Sequence, residues 1–135
     1  MTLTQYLNAC KTALTATFPN VLWYVGVDEP DVATSFVWFA PAIGPGLATE
    51  WVTDIRGMEV TAVGDQMDFA GAETLAYAVD RWILGEGGSR LVAGERVINV
   101  NRSGGPPYSL LHDNAERTHF VCGYLYEVYS GLAPV

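Results

Sequence analysis

Apolar side chains recur at spacings of three and four near the start of the chain. Leu3, Tyr6, Leu7, Cys10, Ala13, Leu14 and Thr17 share one side of a helix, so the pattern predicts a helix over residues 3–17. Thr2 or Thr4 is placed to cap it, and Pro19-Asn20 ends it. The pattern then changes period. Val21 to Val27 (VLWYVGV) is a continuous apolar run of strand length, and Ser35 to Ala40 (SFVWFA) is a second. The polar residues Asp28-Glu29-Pro30-Asp31 between them predict a hairpin turn. Pro41 to Thr49 is rich in glycine and proline and reads as a loop.

A longer strand is predicted from Trp51 to Val63, with a change of phase inside it. Trp51 and Ile55 share one parity; Met58, Val60 and Ala62 share the other. A β-bulge near Arg56-Gly57 would put both sets on one face. A second helix follows over about 69–84, capped by Asp65 or Asp68 and stopped by Gly85, Gly87 and Gly88. Its apolar stripe is Ala72, Leu75, Ala76, Val79, Trp82 and Ile83, and Glu73, Asp80 and Arg81 are expected on the wet side. Val97 to Asn101 alternates as a strand, 103–114 reads as a long loop, and Arg117 to Tyr129 is the last strand. The order α-β-β-β-α-β-β predicts an α+β fold: a mostly antiparallel or mixed sheet of about five strands covered by two helices. With no repeat and no linker, 1–135 is expected to be a single domain.

Composition adds one constraint. Half of the residues are hydrophobic and the mean hydropathy is +0.17, which is rich for a small soluble monomer. Either the core is dense or apolar surface is buried against partners. The net charge of −8 argues against gripping phosphates, so no specific nucleic-acid binding is expected. The uncharged stretch Val32 to Thr49 approaches membrane-spanning length, but Pro41, Gly44, Pro45 and Gly46 interrupt it. No membrane segment and no targeting segment are expected.

Candidate chemistry is thin. Cys10 and Cys122 read as two buried thiols. His112 and His119, with Asp113 and Glu116 between them, lack the spacing of a metal site. Ser109, His112 and Asp113 have the residue types of a triad without a nucleophile elbow. Asp54 and Glu59 have opposite parity unless the bulge realigns them for carboxylate-pair chemistry. The glycines 85, 87 and 88 follow a helix, whereas a phosphate loop precedes one. Tyr124, Tyr126 and Trp38 lack the interleaved basic residues that stacking on nucleic acid needs. No catalytic, cofactor-binding or metal-binding residue is assigned, no cofactor is expected, and the chain is not expected to be an enzyme.

Four stretches together resemble the tail terminator (tail completion, or minor tail/minor capsid) proteins of long-tailed bacteriophages. These are the opening helix with VLWYVGV; the run WVTDIRGMEVTAVGDQMDFAGAETLAYAVDRWIL; the segment INVNRSGGPPYSLLHDNAER, with Asp113 and Arg117 at its end; and the closing HFVCGYLYEVYS. They cover nearly the whole chain. The resemblance implies a virion protein, assembled in the bacterial host cytoplasm. It would form a homo-oligomeric ring, commonly a hexamer, on the head-proximal end of the tail tube. The ring would stop tube polymerisation and join the tail to the head. Its implied partners are further copies of itself, the tail tube protein and a neck or head-completion protein, with DNA only as passing cargo. Arg56, Arg102, Asp113 and Arg117 are the candidate interface residues. Reversing an exposed arginine such as Arg56 or Arg102 is expected to disrupt assembly before folding.

Two other readings stay open from sequence. One is a neck or head-completion connector. The other is a small α+β binding module or enzyme, with a pocket between the second helix and the sheet lined by Trp38, Trp51, Trp82 and Tyr124.

Overall fold

The computed structural model describes residues 3–26, 34–49, 53–85, 97–112 and 116–129. In chain order the elements are α1 (Leu3–Thr17), β1 (Leu22–Val25), β2 (Phe36–Thr49), β3 (Thr53–Gln66), α2 (Phe69–Leu84), β4 (Val97–Arg102), β5 (Tyr108–His112) and β6 (Arg117–Tyr129). The fold is α+β, with a mixed sheet ordered β1-β2-β3-β6-β4 and β5 also pairing β6. The acidic turn at 28–31, Trp51, Gly87, Gly88 and Asp113 lie outside the described residues.

Both helices follow their patterns. In α1, Leu7, Cys10 and Leu14 are the fully buried stripe. α2 starts where the Asp68 carboxylate accepts the Gly71 N–H at 2.9 Å, satisfying one of the orphan donors of the first turn. It ends where the Gly85 N–H donates to the Arg81 carbonyl at 3.0 Å. Ala72, Ala76, Val79 and Ile83 face the sheet, and each larger aliphatic side chain contributes about 1.5–3 kcal/mol by leaving water. α1 lies against β1, whereas α2 crosses β3, β6 and the end of β4. Both helices share one core with Trp23, Val37, Phe39, Met58, Val60, Ala62, Phe120, Cys122, Tyr124 and Tyr126.

Four strand expectations are corrected. β1 and β2 are not a hairpin: they pair in parallel, from Leu22↔Phe36 to Val25↔Phe39. The antiparallel partner of β2 is β3, which matches its length of 14 residues. The 41–49 stretch is therefore the second half of β2 and not a loop. Beyond Phe39 β2 has no second described neighbour, and an edge tolerates Pro41 and Pro45 because no ladder bond is demanded there.

The irregularity expected at Arg56-Gly57 belongs to the partner strand. Ala42 pairs Gly57 and Gly46 pairs Ile55, so three β2 residues stand opposite Arg56 alone. On its other side β3 keeps an unbroken register with β6, from Thr53↔Tyr129 to Val63↔His119. The phase change arises instead because this strand is buried on both faces, with Thr61 and Val63 as enclosed as Val60 and Ala62. Finally, the 103–114 loop contains β5. β4 pairs the far half of β6 down to Arg102↔Tyr124, and β5 resumes at Tyr108↔Val121. The two are halves of one edge strand, interrupted by Ser103–Pro107.

Candidate functional site

The sequence pattern put Asp80 on the wet side of α2, and the structure corrects this. Asp80 is 4% exposed and faces the sheet. It lies four residues after Ala76 and three before Ile83, in phase with the buried stripe; a carboxylate at such a position signals a buried partner. That partner is Arg102, the last residue of β4. Its Nε donates to Asp80 Oδ1 at 2.9 Å and its Nη2 donates to Oδ2, giving a bidentate fork. From β6, the Tyr124 hydroxyl donates to the same Oδ1 at 2.7 Å. The Cys122 thiol is 4.0 Å from that oxygen and 3.7 Å from the Gly105 carbonyl.

The electrostatics follow from this geometry. Burial pushes the Asp80 carboxyl up, but hydrogen bonds from Arg102 and Tyr124, with the charges of Arg102 and Arg81, outweigh it and hold the group below its usual range. Asp80 hydrogen-bonds and attracts Arg102, raising the guanidinium further. Burial raises both the Cys122 thiol and the Tyr124 phenol. The carboxylate is therefore ionised with both oxygens engaged, and the thiol is protonated. A general base needs a vacant lone pair toward substrate, and a nucleophilic cysteine needs thiolate character. This cluster offers neither; it ties α2, β4 and β6 together and anchors the Ser103–Pro107 bulge. Ser103 N–H donates to Gly123 O at 2.9 Å, and Pro107 is buried at the bulge's other end.

Of the candidate interface residues, Arg102, Arg117 and Arg56 lie on three different strands. Arg102 is committed to Asp80 and keeps 32% of its side chain exposed, so its charge already serves the subunit's own interior. Arg117 begins β6, paired with Gln66, and its guanidinium sits 5.8 Å over the Phe36 ring. Arg56 pairs Tyr126 within the β3–β6 ladder. Asp113 is outside the described residues.

Among the described residues the other reactive groups are spread along separate strands. Ser109 and His112 pair Phe120 and Thr118 along β5, and His119 is buried on β6. Among the described residues no three His, Cys, Asp or Glu side chains are grouped as metal ligands. Glu59 is exposed, and the straight register of β3 leaves it at opposite parity to Asp54. Cys10 and Cys122 are both buried, and no disulfide joins them. Among the described residues the expected tryptophan pocket does not come together: Tyr124 is 1% exposed in the closed core, whereas Trp38 shares a face with Phe36 and Tyr24, away from α2, and Trp51 lies outside the described residues. The Trp38 indole N–H donates to the Gly26 carbonyl at 2.7 Å.

What the surface offers instead is shallow, apolar in one place and mixed in another. At the end of the β3–β6 ladder, Met67 and Glu116 both take left-handed backbone at φ 58°, and the Met67 N–H donates to the Glu116 carbonyl at 2.9 Å. Such a conformation costs a residue with a Cβ about 1–2 kcal/mol. Met67 is nonetheless 79% exposed, beside Phe69 at 47%, whose ring meets Phe120 edge-on at 5.1 Å. With Glu116 and Thr118 these residues line a depression of about 340 Å³. A second depression, of about 530 Å³, runs along the outer face of α2 past Glu73, Thr74, Tyr77, Ala78 and Arg81.

Compared with protein-family models and with curated proteins, the sequence matches none of them. Among solved structures the fold is similar to that of a chain in the virion of a native gene transfer agent (GTA) particle. The TM-score is 0.61 at 16% identity, over 93% of this chain and 90% of that chain.

Proposed function

We propose that this chain is a structural virion subunit that closes the head-proximal end of a tail tube as a homo-oligomeric ring, commonly a hexamer. The observation that carries the reading is the likeness to the gene transfer agent virion chain, which spans nearly the full length of both proteins. It is a correspondence of whole folds and not of one recurring hairpin. The internal chemistry is consistent with it, since the buried carboxylate, thiol and phenol are all used to brace the subunit.

In this reading the ring's contacts are heterologous, and they close because the rotation between neighbours is right. One side of the ring meets the tail tube protein and the other a neck or head-completion protein. The acidic balance of −8 suits a lumen through which DNA slides without sticking.

Light scattering over a concentration series, with tail-tube binding measured in parallel, tests this. The expected result is concentration-dependent assembly and stable attachment to one end of the tube. Monomer at every concentration, with no attachment to tubes, would reject it. Labelled-particle microscopy separates a tail-end ring from a neck connector, because the label then falls below or above the head–tail joint.

A further inference from the structure

Among the described residues the sheet has two open edges, and each carries proline or a break where a strand could be added. On the first edge, β1 accompanies β2 as far as Phe39, whose carbonyl accepts the Gly26 N–H at 3.0 Å. That carbonyl therefore faces away from β3. Backbone polar groups alternate sides along a strand, so residue 41 is the next to face outward. It is Pro41, and it is exposed. The first position past β1 at which an outside strand could meet a β2 N–H thus has none. Ala42, which pairs Gly57, turns its own N–H toward β3. Pro41 is not a loop residue: it stands inside a ladder that runs from Phe36↔Val63 to Thr49↔Thr53.

On the second edge, β4 pairs down to Arg102↔Tyr124 and β5 resumes at Tyr108↔Val121. The five residues 103–107 therefore stand opposite two, Cys122 and Gly123, and Pro106 and Pro107 are among the five. This bulge is held in place. The Ser103 N–H donates to the Gly123 carbonyl, and the Ser103 hydroxyl lies where a side chain on residue 123 would stand. The Gly105 carbonyl is 3.7 Å from the Cys122 sulfur, and Pro107 is buried.

From these two edges we infer that Pro41 and the anchored Ser103–Pro107 bulge are guards, which keep a second copy of this chain from extending the sheet by strand addition. An open edge is a row of unpaired N–H and C=O groups, and identical chains that add edge to edge grow without limit. A missing N–H breaks the ladder at β2, and a bulge takes the β4–β5 edge out of line. With both edges barred, contact between copies falls to side-chain surfaces. The inference concerns the free subunit and goes beyond the ring reading, so either can fail without the other.

Three variants of the full chain test it by sedimentation and thioflavin T fluorescence, with circular dichroism as the check on folding. Pro41→Thr restores the outward N–H at an exposed position. It is expected to fold like wild type and to form thioflavin-positive sediment at a concentration about fivefold lower, the weight of one net hydrogen bond. Ala42→Thr adds the same side chain where the N–H already faces β3, and is expected to stay as soluble as wild type. Deleting Gly104, Gly105 and Pro106 leaves two residues opposite two and straightens the second edge, and the same kind of sediment is expected. Pro41→Thr with the wild-type threshold, or Ala42→Thr that sediments as readily as Pro41→Thr, overturns the guard on β2. A folded deletion variant as soluble as wild type overturns the guard on β4–β5. A deletion that abolishes folding overturns it too, since the bulge is then required by the fold itself.

Discussion

At Asp80 the chain puts a carboxylate where an aliphatic residue would fit the stripe between Ala76 and Ile83 more easily. Burying that charge is tolerable only because Arg102 and Tyr124 saturate both of its oxygens. The cluster therefore fixes position more than it adds stability: α2 can sit at only one place along β4 and β6. Asp80→Asn leaves the guanidinium without its counter-charge. It is expected to cost about 2–3 kcal/mol at neutral pH, less than a wholly buried pair because Arg102 keeps a third of its side chain in water. Since the folded carboxyl is held below its ordinary range, its contribution is complete above about pH 4. It fades as the pH falls through the lower folded value. The Tm gap between wild type and Asp80→Asn should thus be flat from about pH 8 to 5 and close in acid; a gap that widens on acidification contradicts the clasp. Arg102→Glu is expected to lower Tm before any assembly defect can be read, the reverse of what sequence suggests for an exposed arginine. Circular dichroism melts of the two variants check both statements.

Between elements, α2 comes close onto β3 at Gly64. A Cβ built there would stand 2.8 Å from the Ala72 Cβ and 2.8 Å from the Asp68 carbonyl oxygen, neither of which can swing aside. Gly64→Ala is therefore expected to push the helix off the sheet and destabilise the fold by about 1–3 kcal/mol, measured by urea denaturation. Removing the cap with Asp68→Ala should cost about 1 kcal/mol. The helices and the last strand were legible in the sequence, because their periodicity is set by burial on one face. The β1–β2 pairing was not, since a polar turn is compatible with several connections and a parallel pair is visible only in the register. Nor was the extension of β2 through Pro41 and Pro45, because proline reads locally as a breaker and only the edge position makes it acceptable. Asp80 was legible in principle, from its phase with the apolar stripe. Its partner was not, because Arg102 lies on a strand whose edge is broken at Ser103–Pro107, a break with no local signature beyond glycine and proline.

For the whole molecule, the carboxylate, thiol and phenol of the Asp80 cluster are turned inward, and the choice of partner is made elsewhere. That step depends on surfaces, and a surface residue such as Met67 carries no periodic signal; its left-handed backbone and exposure emerge only from the folded chain. Electron microscopy of the purified protein mixed with tail tubes tests the proposed ring at the tail end. Closed rings of one size are expected, with a single ring seated on one end of each tube and no further tube growth beyond it. Tubes that stay bare and continue to lengthen, in a field of protein showing no rings, would contradict it.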